Sequence, residues 1–154
     1  MSPATRTDPY LAGNFQVNIL LGGETLIAAA QSFSEIAGLE AAIEVVGYRT
    51  GDLNGNTVQK SPGLNRYPNV TLKRGLTSDS SLWSWIQGVL SGNLQRATVL
   101  ISLRDQAGSP ELVFRLSNAW PCKWTGPLLI ADSSEVAIET LEICYEGLDI
   151  EFAP

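Results

Sequence analysis

Glu40 and Glu44 are the carboxylates whose spacing best suits acid–base chemistry. Four residues apart, in a stretch where Leu39, Ala41, Ile43 and Val45 alternate with their neighbours, they share one face of a predicted strand. A carboxylate pair on one face is the equipment of glycoside hydrolysis. That chemistry needs a pocket that shifts one pKa, and the sequence offers none, so the pair reads as a solvated strand face. Ser32, Ser34 and Ser61 have no base to activate them, because the chain contains no histidine. Its absence also removes the commonest metal ligand and proton shuttle. There is no G-x-S-x-G elbow, phosphate loop or dinucleotide fingerprint. Cys122 and Cys144 form neither a C-x-x-C pair nor a metal-ligand spacing and are expected as free thiols. Trp83, Trp85, Trp120 and Trp124 would make a stacking platform for sugars or bases if displayed together. Trp83 and Trp85 fall on the apolar arc of a helix and the other two flank prolines, so packing accounts for all four. Asn69-Val70-Thr71 fits the glycosylation acceptor, without a secretion signal to make use of it. No enzyme, cofactor or metal is expected.

The elements that would carry these residues follow from periodicity. The 154 residues fit one domain, 1–154. Residues 1–13, with Pro3 and Pro9, read as an extended arm. Phe15, Val17, Ile19 and Leu21 alternate in a strand, and Gly22-Gly23 signals a hairpin turn into a second strand over Thr25–Ile36. Leu39–Val46 is a third strand with Leu39, Ala41, Ile43 and Val45 toward the core. Residues 49–69 show no period and hold Asn54-Gly55, Pro62-Gly63 and Pro68, a long loop of the kind that is usually functional or disordered. Val70–Arg74 is a fourth strand. A helix spans 79–91, with Thr77, Ser78 or Asp79 as N-cap and Gly92 or Asn93 ending it. Leu82, Trp83, Trp85, Ile86, Val89 and Leu90 form its apolar arc, from which Leu82, Trp83, Ile86 and Val89 are expected to anchor it. Strands follow at 97–103 and 112–117. Pro121 and Pro127 are expected to break pairing around Trp120 and Trp124. Glu135–Tyr145 is a last long strand whose apolar parity switches between Ile138 and Leu141, suggesting a bulge, and Leu148, Ile150 and Phe152 alternate after it. About seven strands with hairpin links and one helix predict a mainly β fold, an antiparallel β-sandwich or partly closed barrel with one flanking α-helix.

Net charge is −6 and the pI about 4.5, which lacks the basic footprint of a nucleic-acid binder. No apolar run would span a bilayer, and the N-terminal residues carry no apolar signal-peptide core, so no membrane partner is expected and folding is expected in the cytoplasm. Charge is segregated. Arg49, Lys60, Arg66, Lys73 and Arg74 face only Asp52 within 49–74, while Asp132, Glu135, Glu139, Glu142, Glu146, Asp149 and Glu151 have no base among them. Two readings stay open: a basic loop of one copy meeting the acidic edge of the next, or two faces that neutralise each other within one subunit. Leu53, Val58, Leu64 and Tyr67 in the 49–69 loop would be left wet unless docked, and ordering such a loop costs about 1–2 kcal/mol per residue.

Several separate segments resemble one family. They are D8-P-Y-L-x-x-N-F-x-V, G38-L-E-A-x-I-E-V, Y48-R-T-G with N54-G-N, K60-S-P-G-L-N-R-Y-P-N-V-T-L-K-R-G-L, L82-W-S-W, A119-W-P-C-K-W-T-G-P and E135-V-A-I-E-T-L-E. In this order they resemble the tail tube proteins of contractile phages, and most of all those of extracellular contractile injection systems. The resemblance implies hexameric rings stacked into a hollow inner tube, with a contractile sheath outside, baseplate and tube-initiator proteins at one end, and DNA or a protein effector as luminal cargo. It implies cytoplasmic assembly and then a place in a phage tail or released particle. It also implies that the loop reaches a neighbouring copy, with Arg49, Asn54, Lys60, Leu64, Arg66 and Tyr67 as contacts and Glu135, Glu139, Glu142 and Glu146 as candidate acidic partners. Glu40 and Glu44 are candidate lumen residues, the alternative being outer solvent or a neighbour's base. A tube-initiating or baseplate-proximal paralogue is the alternative within the family, and a ligand-binding β-sandwich module the alternative outside it.

Overall fold

The computed structural model of the protein describes residues 10–22, 24–25, 33–49, 51, 57–104 and 110–152. Its elements are β1 (Phe15–Leu21), β2 (Glu24–Thr25), β3 (Phe33–Ala37), β4 (Ala42–Tyr48), β5 (Gln59–Arg66), β6 (Val70–Gly75), α1 (Ser81–Leu90), β7 (Ala97–Arg104), β8 (Pro110–Thr125), β9 (Ile138–Cys144) and β10 (Gly147–Phe152). The main sheet is antiparallel in the order β2-β1-β7-β8-β9-β6-β3, with β10 also on β8, and it does not close into a barrel. The 1–9 part of the expected arm and most of the expected second strand, 26–32, lie outside the described residues.

β8 is the hinge of this arrangement. Its first half pairs with β10, from Phe152↔Leu112 to Gly147↔Ser117, and its second half pairs with β9, from Trp120↔Cys144 to Thr125↔Thr140. Asn118 sits between the halves at φ +52, where the β7–β8 register also shifts. An asparagine tolerates that left-handed conformation, and its amide donates to Glu146 at 3.1 Å while Glu146 N–H donates to Ser117 O at 2.9 Å. The bend thus delivers one strand to two layers. Pro121 disturbs the pairing as expected but does not end the strand. It lies beside a register shift inside β8, the position a sheet reserves for proline.

The two layers close on one core. Val17 and Ile19 of β1, Val99 and Ile101 of β7 and Leu116 of β8 meet Val70 and Leu72 of β6 and Leu141 and Ile143 of β9, all buried. Alternation on each strand is what puts these residues on the same side. The bulge suggested by the parity switch is absent from the pairing of the last strand with β6. β9 starts at Ile138, its register against β6 is unbroken, and Glu139, Leu141 and Ile143 all point inward. The apolar pattern breaks only because a carboxylate occupies an inward position.

α1 lies against β8 and adds Leu82, Trp85 and Ile86 to the core. Its N-cap is Ser80 rather than Thr77, Ser78 or Asp79 and makes no side-chain cap bond, but Asp79 Oδ1 accepts from Ser81 N–H at 3.0 Å and Ser81 O–H at 2.7 Å. Its C-terminus closes with Gly92 at φ +89: Gly92 N–H donates to Val89 O at 3.0 Å and Asn93 N–H to Gly88 O at 2.7 Å, the pattern of a Schellman stop. The anchor set needs correction. Val89 is half-buried, Leu90 is exposed and Trp83 is 40% exposed, because the apolar arc is wider than the strand that α1 covers. Leu82→Ala is expected to cost about 2–5 kcal/mol, as buried large-to-small changes do, while Leu90→Ala should change little. Urea unfolding of the two variants checks the assignment, and equal effects would mean the wrong face has been assigned to the core.

Candidate functional site

Among the described residues no catalytic constellation assembles. Glu40 is exposed in the segment between β3 and β4, its carbonyl accepting from Tyr145 O–H at 3.3 Å, and Glu44 lies on β4 paired with Arg66 at 3.2 Å. Among the described residues no group of three or more His, Cys, Asp and Glu could hold a metal, and no helix is long and apolar enough to cross a membrane. Cys122 and Cys144 are free thiols; burial first and then the Glu142 charge raise Cys122, while burial first and then the neighbouring Cys122 push Cys144 up to about 11.

The charged residues that matter most lie inside. Arg74 and Glu139 stand opposite each other in the β6–β9 register and are both almost fully buried. Arg74 Nε donates to Glu139 Oε1, and its other nitrogens reach Asp79 Oδ2 at 3.2 Å and Asp79 O at 3.0 Å. The remaining oxygen of Glu139 accepts from Trp124 Nε1 at 3.1 Å. Phe33 covers the guanidinium 6.0 Å from its ring centre, and Trp124 meets Trp83 edge-on at 5.0 Å. One ion pair therefore ties β3, β6, β8, β9 and the start of α1. Glu139, expected at an inter-subunit acidic edge, is instead an interior residue of its own chain, which a uniform count of acids could not separate from its neighbours.

The other expected contact residues divide. Lys73 pairs with Glu35 at 3.1 Å and Arg66 with Glu44, so part of the basic segment is neutralised within the subunit. Glu142 accepts from Asn69 at 2.8 Å, and Glu146 meets Arg96 at 3.9 Å. Tyr67, expected to reach a neighbour, packs on its own core and on Tyr145 at 5.9 Å. Asn54 lies outside the described residues. Arg49, Lys60, Leu64 and Glu135 are exposed.

What the chain displays is apolar surface. The expected 49–69 loop is half strand: β5 pairs with β4 as a separate two-stranded ribbon, Ala42↔Arg66 to Tyr48↔Gln59. Pro62 and Gly63 hide the strand from periodicity, and a register shift beside them accommodates both. Ile43 and Val45 do not face the core as expected; they are 59% and 64% exposed, and Leu64 is 75% exposed. Among the described residues the ribbon packs on no other element to more than a marginal extent. A lone two-stranded ribbon is marginal in water, and this one carries apolar residues where a solvated ribbon would carry polar ones. A second apolar surface surrounds the 126–138 segment, where Leu128, Leu129, Ile130 and Val136 line a cleft and are 60–83% exposed. Contiguous exposed apolar patches of this kind mark interaction sites.

Comparison with known proteins gives these surfaces a context. A family model described as T4-like virus tail tube protein gp19 matches residues 11–149. A chain from the baseplate of the anti-feeding prophage is 28% identical, with a TM-score of 0.83 over 96% of this chain and 98% of that one. A chain from the tube-terminating cap of the same particle is 26% identical, with a TM-score of 0.82 over 99% and 97%. A chain of the PVC sheath–tube complex, an extracellular contractile injection system in its extended state, is 24% identical over 96% and 94% and shares the fold at a TM-score of 0.81. No curated protein matches in sequence.

Two stability predictions follow from the buried network. Glu139→Gln should destabilise the subunit by about 3–5 kcal/mol, as breaking a buried pair does, whereas Arg74→Met with Glu139→Leu should recover much of that loss. Chemical denaturation of the three proteins checks the ordering. Asp79 is held below the usual carboxylate pKa, by Ser81 first and Arg74 after it. A depressed folded pKa contributes stability above the unfolded value, and that stability is lost as pH falls through the folded one. The stability gap between the native protein and Asp79→Asn should be constant above about pH 4 and should close below it, measured by melting at stepwise lower pH.

Proposed function

The chain belongs to the T4-like virus tail tube protein family and is a structural tube subunit, and from that premise we propose that it forms hexameric rings stacked into the hollow inner tube of a contractile injection particle. The β4–β5 ribbon carries this reading: among the described residues its Ile43, Val45, Val46 and Leu64 are exposed and no other element covers them to more than a marginal extent, which other copies of the chain would do. The sheath–tube, cap and baseplate settings of the similar chains support a sheath outside this tube and baseplate proteins at its end. In this reading the subunit folds in the cytoplasm, acts without catalysis and serves as a conduit for cargo. Arg49, Lys60 and Leu64 are the proposed ribbon contacts. The lumen wall would be polar so that cargo slides, with Glu40 as its exposed carboxylate and Glu44 held by Arg66.

A baseplate-proximal or tube-initiating role is the second reading, favoured by the baseplate origin of the 28% identical chain. The two separate by extent of growth. A main tube subunit polymerises past one ring on its own, and an initiator stops at a ring. Multi-angle light scattering across micromolar concentrations is expected to show hexamers and larger species. Val45→Asp should leave a folded subunit that no longer grows. A native protein that stays monomeric at every concentration, with or without tube partners, would contradict the proposal.

A further inference from the structure

Two uncovered apolar surfaces in one self-assembling chain invite each other, and their details match. Register places Lys60 opposite Gly47 and Pro62 opposite Val45. Residues opposite or two apart share a face of a strand, so one face of the ribbon presents Ile43, Val45 and Pro62 as an apolar strip between Asn65 at one end and the Lys60 cation at the other. The 126–138 cleft presents the complement. Leu128, Ile130 and Val136 form its apolar walls, Glu135 also lines it, and no Lys or Arg occurs after Lys123. Its shape is set locally by Asp132 at φ +65 and by Ser133 N–H donating to Ile130 O at 3.3 Å. Within one chain neither surface covers the other, since the walls and the ribbon face both remain exposed.

We propose that the cleft of residues 126–138 receives the Ile43–Val45 face of the β4–β5 ribbon from a second copy of this chain, with Lys60 of the ribbon meeting Glu135 of the cleft. This rests on the tube reading and names the partner surface within it. Apolar contact supplies the attraction, and the Lys60–Glu135 pair sets the register along the strip. A ribbon seated in this way gains the third side that a two-stranded ribbon needs for order.

The test uses the full chain in two arms. A photoreactive benzophenone side chain placed at Val45 is irradiated in assembled protein, and the cross-linked peptides are sequenced; tryptic cleavage after Lys123 leaves the cleft on one peptide, residues 124–154. In the second arm Lys60→Glu and Glu135→Lys are compared singly and together for the concentration at which polymer appears, with circular dichroism confirming that each variant folds. The proposal expects cross-links within 126–138 of another copy. It expects each single reversal to raise that concentration by roughly five- to tenfold and the double reversal to restore it. Cross-links confined to another surface of assembled protein, or a double variant no better than the worse single one, would overturn the pairing and leave the tube reading standing. Failure of the unaltered chain to assemble at all would overturn the tube reading and this pairing with it.

Discussion

The buried pair of Arg74 and Glu139 is the interaction around which the rest of the subunit is arranged. Removing two charges from water is expensive, and attraction between them offsets that cost only when every remaining donor and acceptor is also satisfied. Here Asp79, Trp124 and Phe33 supply those partners. Each partner brings an element with it: Asp79 the start of α1, Trp124 the far half of β8, Phe33 the edge strand β3. The pair also fixes register. A slip of β9 by one residue against β6 would turn Glu139 toward solvent, leave Arg74 buried without it and bring Ile138 and Thr140 into the core. An apolar pair of equal volume would tolerate neighbouring registers better, so the ionic pair contributes specificity where its net stability is modest.

Much of the fold was legible because its strands obey simple alternation. β1, β6, β7 and the first half of β8 show their buried faces directly, and Gly92 marks the end of α1. Misreadings cluster where a residue serves a need other than pattern. Glu139 broke the period of β9 because it answers Arg74. Pro62 and Gly63 concealed β5 because a two-stranded ribbon consists only of edges, where proline is tolerated. Asn118 and Pro121 concealed the length of β8. Ile43 and Val45 alternate like core residues, yet they face water in the subunit. Alternation reports that a face will be buried; it does not say whether the burying surface belongs to the same chain.

That last distinction governs the functional surfaces. Charge segregation left contact between copies and neutralisation within one subunit both open, and Arg66, Lys73 and Arg74 find acids within their own subunit. Exposed apolar residues on the ribbon and around the 126–138 cleft are the stronger indication, since each would otherwise remain hydrated at a cost of about 25 cal/mol per Å². A low fraction of charged residues, 17%, fits a chain that hides part of its surface in assembly. The core is specified by its ion pair, and the β4–β5 ribbon hangs from it by short connections at Gly38–Ala41 and Tyr67–Asn69. Gly38 has φ +97, and a side chain there would strike the carbonyl of Asn69, so the two connections pass in close contact.

Helical reconstruction by cryo-electron microscopy of the polymerised chain tests the central claim most directly, because it shows what covers the ribbon. The account predicts a hollow tube of six-membered rings in which Ile43, Val45 and Leu64 are buried between copies while the Arg74–Glu139 pair stays inside each subunit. A polymer whose ribbons project into solvent, or a ring number other than six, would contradict it.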